Sequence, residues 1–451
     1  MKTTEKIGFY NALFSAKIVN KGLHLIKSAG TSLPGVVALK ISKNFLSFLS
    51  IYCKKNIITV TGTNGKTTTS GILAQLLKTD KNTVLHNEKG ANMLSGIASS
   101  LAVNYKPFSR FDYAVLESDE AYLTKLYDYL KADYLLVTNL FRDQLDRYGE
   151  LDTTAKKIQE AITKNPDLTL IVNADDPMLS ELGKNNKRIF FGFEEITYKN
   201  SSKESLAPAE SVSCSCKSDL SYEKRYYAHV GKYFCKSCGK SRPTPDYKAY
   251  AVIYDDYSEI YVKYQKNNTE VESCFKTGLV GLYNAYNALA AVSAALESGI
   301  EPKIIQTGLD NYKSVFGRAE KRTIKDRNVL IQLIKNPTGA SEVLRTINHK
   351  TCDKLLIIIN DNYADGRDVS WLWDADFEML KDYSGEIVVS GIRAYDMAVR
   401  MKYAGFDKDK IIVKPNIKTA INYTIDSVEK NSHVLIMPTY TALLEMQKIL
   451  K

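Results

Sequence analysis

The chain has 451 residues, a formal net charge of +10, 44% hydrophobic and 25% charged residues, a balance that fits an ordinary globular protein of two or three domains. It holds no uninterrupted apolar run of about 18 or more residues, which excludes a spanning helix. Seven cysteines, four of them within one short stretch, argue against a secreted disulfide framework and for a reducing compartment with one metal site.

Residues 1–50 read as a helical segment. In "IGFYNALFSAKIVNKGLHLIK" the apolar positions Leu13, Ile18, Leu23 and Leu25 suit an amphipathic helix, while Asn11, Lys17, Asn20 and Lys21 interrupt any signal-peptide core. The basic polar face fits packing on the next domain or peripheral contact with a membrane. The expected location is cytoplasmic, with a possible peripheral position at the inner face of the cell membrane.

From Asn56 onward strands and helices alternate. "NIITV", "YAVLES", "YLLVTNL" and "LTLIVNADD" each run into a polar turn and a helical pattern, which predicts an α/β domain with a parallel sheet over 51–322. The first turn, "TGTNGKTTT", has the composition of a phosphate cradle. Gly62 and Gly65 allow close backbone approach, and Thr63, Asn64 and Thr68 lie in the same loop and helix start. Lys66 would reach the terminal phosphates and the Thr67 hydroxyl would ligate Mg²⁺. Val60 stands where the common P-loop pattern carries a glycine. "VLESDEA" closes the next strand in carboxylates, with Glu117, Asp119 and Glu120 as neighbouring acidic candidates.

An insertion at about 205–248 breaks the rhythm and carries Cys214, Cys216, Cys235 and Cys238. Two close pairs of thiols match the tetrahedral demands of structural zinc. His229 is close enough in sequence to substitute, and Cys53, Cys274 and Cys352 read as isolated buried hydrophobes. A zinc-ribbon ATPase that binds nucleic acid would need basic and aromatic residues interleaved on a face. "YEKRYYAHVGKYF" offers little of this, so no nucleic acid is expected.

The alanine-rich "GLYNAYNALAA" places Asn284 and Asn287 three apart on one helix face. After "FGRAEKR", with Arg318, the alternation restarts as "NVLIQLIKNPTG", "KLLIIINDN", "EIVVSG" and "HVLIMPTY". These segments predict a smaller α/β domain over 323–451. "LIKNPTG" and "NDNYADGRDVSW" follow strands directly, so Lys335, Asn336, Asp361, Asp365 and Asp368 lie where α/β folds place their sites.

Taken together, "TGTNGKTT", "VLESDEA", "GLYNAYNALAA" and "FGRAEKR" resemble the Mur ligase family. The resemblance implies a central ATPase domain and a Rossmann-like C-terminal domain. It also implies ATP with Mg²⁺ on Thr67 and Glu117, Asn284 and Asn287 near adenine, and Arg318 reaching the nucleotide across the cleft. The peptide-adding members usually carry Asp-His-Leu-Asp where this chain has "FRDQLDRYGE", with Gln144 in the histidine's place. The zinc-ribbon insertion and "INDNYADGRDVSWLWDADFE" resemble the branch of the family that amidates lipid II. That branch implies ATP-dependent conversion of the D-isoglutamate α-carboxylate to an amide, through an acyl phosphate and ammonia. Ammonia would come from a separate GatD-type glutaminase, whose Cys-His pair an aspartate of this chain would complete: Asp361, with Asp365 and Asp368 as alternatives. An amino-acid-adding or folylpolyglutamate synthase-like ligase is the competing reading.

Overall fold

A computed structural model describes residues 3–25, 32–88, 91–107, 109–142, 151–199, 213–314, 317–346 and 352–450. Gln144 lies outside the described residues, as does the start of the cysteine-bearing insertion. The first helices, α1 (Thr3–Leu25) and α2 (Leu33–Ile41), pack together over an aromatic knot. In it Phe9 stacks on Phe45 and Phe48 with ring centroids 5.0 and 4.3 Å apart.

Next come β1 (Cys53–Thr61), β2 (Val84–His86), β3 (Phe111–Glu117), β4 (Tyr134–Val137), β5 (Thr169–Asn173) and β6 (Arg188–Tyr198). They pair in parallel in the order β2-β3-β1-β4-β5-β6. Successive side chains alternate between the two faces. Ile58, Val60, Leu136 and Ile171 enter one core with the helices Lys66–Thr79 and Leu282–Glu297. Ile57, Leu135, Leu170 and Val172 enter the other with α1, α2 and the helix Leu94–Asn104. Burial on both faces is why these strands read as continuous apolar runs.

A small hairpin, β7 (Ser221–Tyr227) and β8 (Val230–Phe234), carries the cysteine cluster beside the main sheet. The chain then returns as β9 (Tyr247–Ile253), parallel to β6, and continues antiparallel as β10 (Ser258–Lys266) and β11 (Thr269–Thr277). The sheet therefore has nine strands with an antiparallel edge. Along β9 and β10 buried residues alternate with half-buried ones, so this part of the sheet is fully covered on one face only. Cys274 is exposed on β11, the last strand of the sheet, so its expectation as a buried hydrophobe is corrected.

The second sheet holds β12 (Arg318–Ile324), β13 (Arg327–Gln332), β14 (Lys354–Ile358), β15 (Glu386–Ser390), β16 (Ile411–Val413) and β17 (His433–Pro438) in the order β12-β13-β17-β14-β15-β16. All its pairings are parallel except β12 with β13. The Gly-Arg segment thus opens a strand of this second sheet. The contacts that join the sheets' domains at the site include Gln332 Nε2 donating to the Tyr283 hydroxyl at 2.7 Å and Asn336 Nδ2 donating to Asn64 Oδ1 at 3.0 Å.

Candidate active site

The loop Gly62–Gly65 leaves the carboxyl end of β1, which sits between β3 and β4, where the winding direction of the sheet reverses. That crevice is the usual ligand position of open α/β sheets. Gly62 and Gly65 have φ of +127° and +85°. A Cβ on Gly62 would stand 2.3 Å from Thr138 Oγ1, and one on Gly65 2.0 Å from Asn287 Oδ1. Both glycines are therefore required twice, by backbone conformation and by close approach.

Thr138 and Asn139, just past β4, hold the loop. Asn139 Oδ1 accepts from Asn64 N at 2.9 Å, and Thr138 Oγ1 donates to Asn64 O at 2.7 Å. Thr63 N donates to Asn139 O at 2.9 Å, and the Thr63 hydroxyl is bonded to the backbone of Phe141. In the sequence "YLLVTNL" reads only as a strand end, and no spacing within it signals this role.

Lys66 is buried at the start of the helix Lys66–Thr79. Its Nζ donates to Gly62 O at 2.5 Å and to Glu120 Oε1 at 2.9 Å. Burial alone would depress the ammonium's pKa, but Glu120, Asp119 and Glu117 outweigh it and hold the value above the ordinary one. Thr67 Oγ1 donates to Glu117 Oε1 at 3.0 Å. Glu117 Oε2 is buried with no hydrogen-bond donor among the described residues. A bare carboxylate oxygen out of water is costly, and a hydroxyl and a carboxylate side by side are the hard oxygen donors Mg²⁺ takes. The pair fits that ion. Asp119 is engaged otherwise, capping the helix Glu120–Leu126 by accepting from Ala121 N at 3.0 Å. Thr68 is buried in the first turn of the loop helix.

Asn284 and Asn287 are both buried and joined, Asn287 Nδ2 donating to Asn284 Oδ1 at 3.2 Å. Asn287 Oδ1 also accepts from Thr69 Oγ1 at 3.3 Å, which sets the alanine-rich helix directly on the phosphate loop. Arg318 is half-buried at the start of β12. Its charge reaches Tyr312, which packs at Gly71 of the loop helix. Asn336 caps the helix Pro337–Arg345 by accepting from Gly339 N at 2.8 Å, and the charge of Lys335 reaches Glu120. Lysines from both domains thus converge on one carboxylate.

The cysteines form a second centre. The four Sγ atoms lie within 4.8 Å of one another, Cys214 to Cys238 and Cys216 to Cys235 at 3.5 Å. Cys214 and Cys216 share a turn with left-handed Lys217 (φ +67°), and Cys235 and Cys238 share one with Gly239 (φ +75°). Four convergent thiols are compatible with zinc. His229 is not among them: it is buried beside Asp176 and Phe141. The ribbon is tied to the site by a residue no motif announced. Arg242 donates to Asp175 Oδ1 at 2.5 Å, and Asp175 Oδ2 accepts from the Tyr286 hydroxyl at 2.7 Å.

The three aspartates of the C-terminal loop separate by environment. Asp365 is buried and accepts from Asn362 N and Thr441 N, at 3.1 and 2.7 Å, as well as from the Thr441 hydroxyl. Burial raises its pKa. Asp368 accepts from Ser370 N at 2.8 Å, and hydrogen bonding to Ser370 lowers its pKa. Asp361 follows β14 and takes Arg393 Nε and Nη2 at 2.9 and 2.6 Å, both on Oδ2. The nearby chain exposes Tyr363, Ile392 and Tyr395.

A parallel sheet carrying this cradle, with a carboxylate at the next strand end and a second α/β domain closing over it, defines an ATP-dependent ligase of the Mur type. Residues 60–295 match the Mur ligase middle domain, and residues 333–443 match the MurT ligase C-terminal domain. The chain belongs to the Mur ligase family and, within it, to the MurT subunits. It is 37% identical over 93% of its length, and 92% of the relative, to the lipid II isoglutaminyl synthase (glutamine-hydrolyzing) subunit MurT of Streptococcus pneumoniae. It is 32% identical to the corresponding subunit of Staphylococcus aureus strain COL over 97% of this chain and 96% of that one. Among solved structures, a pseudomurein peptide ligase type C from Methanothermus fervidus shares the fold with a TM-score of 0.68 and 23% identity, over 89% of this chain and 80% of that one.

Proposed function

We propose that this chain is the synthetase subunit of a lipid II isoglutaminyl synthase, converting the α-carboxylate of D-isoglutamate in the stem peptide to an amide. The observation that carries the reading is the match to the MurT subunits through both domains, supported by a glycine loop, a buried lysine and a hydroxyl–carboxylate pair suited to the first half-reaction. A carboxylate has no leaving group for ammonia to displace. Its oxygen attacks the terminal phosphorus of ATP, the bond to ADP breaks, and the carboxyl becomes an acyl phosphate. The nitrogen lone pair of ammonia then adds to the carbonyl carbon, phosphate departs, and the surplus proton leaves the new nitrogen.

The residues divide this work. Thr63 N and Asn64 N are committed to Asn139 and hold the loop in shape, so the N–H of Gly65 and the start of the helix Lys66–Thr79 cradle phosphate, and Lys66 leaves Gly62 O and Glu120 to neutralise the transferring group. Thr67 and Glu117 would hold Mg²⁺, which when bound spreads the charge of phosphoryl transfer. Lys335 and Asn336 bring the C-terminal domain to the same point and suit the acyl phosphate or its precursor. Asn284, Asn287 and Arg318 are assigned to the nucleotide.

Nitrogen delivery falls to a glutaminase partner of the GatD type. Asp361 is the aspartate best suited to complete its Cys-His pair. Arg393 fixes Oδ2, leaving Oδ1 for an imidazole N–H, whereas both oxygens of Asp365 are taken by Asn362 and Thr441 and Asp368 is turned to Ser370 of its own loop. Tyr395, Val399 and Tyr403, exposed at intervals of four on the helix Ala394–Tyr403, continue the apolar skirt of Tyr363 and Ile392. Exposed apolar patches of this kind mark protein interfaces.

The test incubates the chain with lipid II, ATP and Mg²⁺, with ammonium or with glutamine plus the glutaminase, and reads the peptide by mass spectrometry. Replacement of one OH by NH₂ with either nitrogen source is expected. Addition of an amino acid in place of that change would identify an amino-acid-adding ligase.

A further inference from the structure

Helix α1 has two apolar faces, and only one is used. Phe9, Ala12, Leu13 and Ala16 are buried against the domain. On the far side Ile7, Phe14, Ile18 and Leu25 are 56, 69, 54 and 86% exposed. At 3.6 residues per turn these four fall within an arc of about 40°. Tyr10, 47% exposed, borders the stripe. A helix apolar on both faces is ordinarily buried on both.

Charge identifies what covers this one. Residues 1–50 contain seven lysines and one glutamate. This ninth of the chain therefore holds six of its ten net positive charges. Lys6, Lys17 and Lys21 lie along the Tyr10 side of the stripe by helical spacing. Lys17 also donates to Tyr105 O, while Lys6 and Lys21 are exposed. A second copy of the same face would set lysines against lysines. An anionic phospholipid surface satisfies both features, taking the apolar stripe at the acyl boundary and the ammonium groups among the phosphates.

We infer that the outer face of α1 docks the protein on an anionic membrane surface. The inference rests on the reading that the substrate is a membrane lipid, and extends it by naming the element that brings the synthetase to the bilayer.

Sedimentation of the full-length chain with phospholipid vesicles tests this. The wild type should bind vesicles with roughly a third phosphatidylglycerol, bind pure phosphatidylcholine far less, and release as salt rises. The exposed-face double variant Phe14→Asp/Ile18→Asp should partition about ten-fold more weakly or worse, with an unchanged thermal midpoint. Lys6→Glu/Lys21→Glu should lose the preference for the anionic vesicles. On a water-soluble stem peptide the Phe14→Asp/Ile18→Asp variant should match the wild type, and on vesicle-borne lipid II it should fall behind. Absent binding by the wild type, or equal binding by the two proteins, overturns the inference. Equal loss on soluble peptide and vesicle substrate also overturns it, by showing a folding effect. Vesicle binding without any amidation would leave the docking face standing and sink the proposed activity.

Discussion

Gly65 illustrates how much one hydrogen atom can carry. Its φ of +85° disfavours any L side chain, and a Cβ would drive into the Asn287 amide. Gly65→Ala should therefore fold but lose ATP-dependent turnover by about a hundred-fold or more, the usual scale for disturbing an electrostatic cradle. Comparing kcat and thermal midpoint of the variant checks this; unchanged turnover would mean the loop does not hold phosphate. Asp361 makes a different prediction. Asp361→Ala should abolish glutamine-dependent amidation by about a hundred-fold or more while ammonium-dependent amidation persists. Equal loss with both nitrogen sources would move Asp361 into the synthetase site. The cradle was legible in the sequence because glycine, lysine and threonine at fixed spacing have few other uses. Choosing among three aspartates was not legible, because the choice depends on which neighbours consume their oxygens. Thr441, 76 residues beyond Asp365, decides that.

At the scale of elements, the ribbon acts as a clamp on the ATPase core. Arg242 follows its second cysteine pair, Asp175 follows β5, and Tyr286 lies on the helix that presents Asn284 and Asn287. Removing a partner from a buried ion pair leaves an uncompensated charge and costs about 3–5 kcal/mol. Arg242→Met should lower the thermal midpoint accordingly and raise the KM for ATP through the loosened helix. If the four thiols hold zinc, a chelator should move both quantities in the same direction. If stability falls while the KM for ATP stays constant, the clamp does not reach the nucleotide. The cysteine spacing announced the four-thiol module, but nothing in the chain before folding tied Arg242 to Asp175. That pairing exists only because the insertion folds back over β5 and β6.

The whole molecule depends on how the C-terminal domain closes onto the phosphate loop. Glu342, on the helix Pro337–Arg345, is wholly buried there, and burial pushes its carboxyl from 4.5 up to about 7 against the opposing pull of Arg345. The folded state thus binds this proton more tightly than the unfolded state does. Stability from this group is fully present below about pH 4.5 and declines as pH rises toward about 7, at about 1.4 kcal/mol per pKa unit. Glu342→Gln should flatten this slope, so that the variant gains on the wild type as pH rises. Thermal melts of both proteins across that window check it, and parallel pH profiles would show that Glu342 titrates normally.

Sequence alone determined the sheet-and-helix alternation, the glycine loop after β1, the carboxylate strand end and the cysteine module. Each of these is local: a periodicity, or residues within a few positions whose chemistry is fixed by spacing. Tertiary structure decided the rest. It brought Thr138 and Asn139 to the loop, set Asn287 against Gly65 from 222 positions away, and joined Asn64 to Asn336 across 272. It also added the antiparallel edge of the sheet and left one face of α1 uncovered. Contacts of this kind depend on which strands become neighbours and on how two domains meet. No spacing within a segment encodes them, because the energy that selects them is the burial of the whole core.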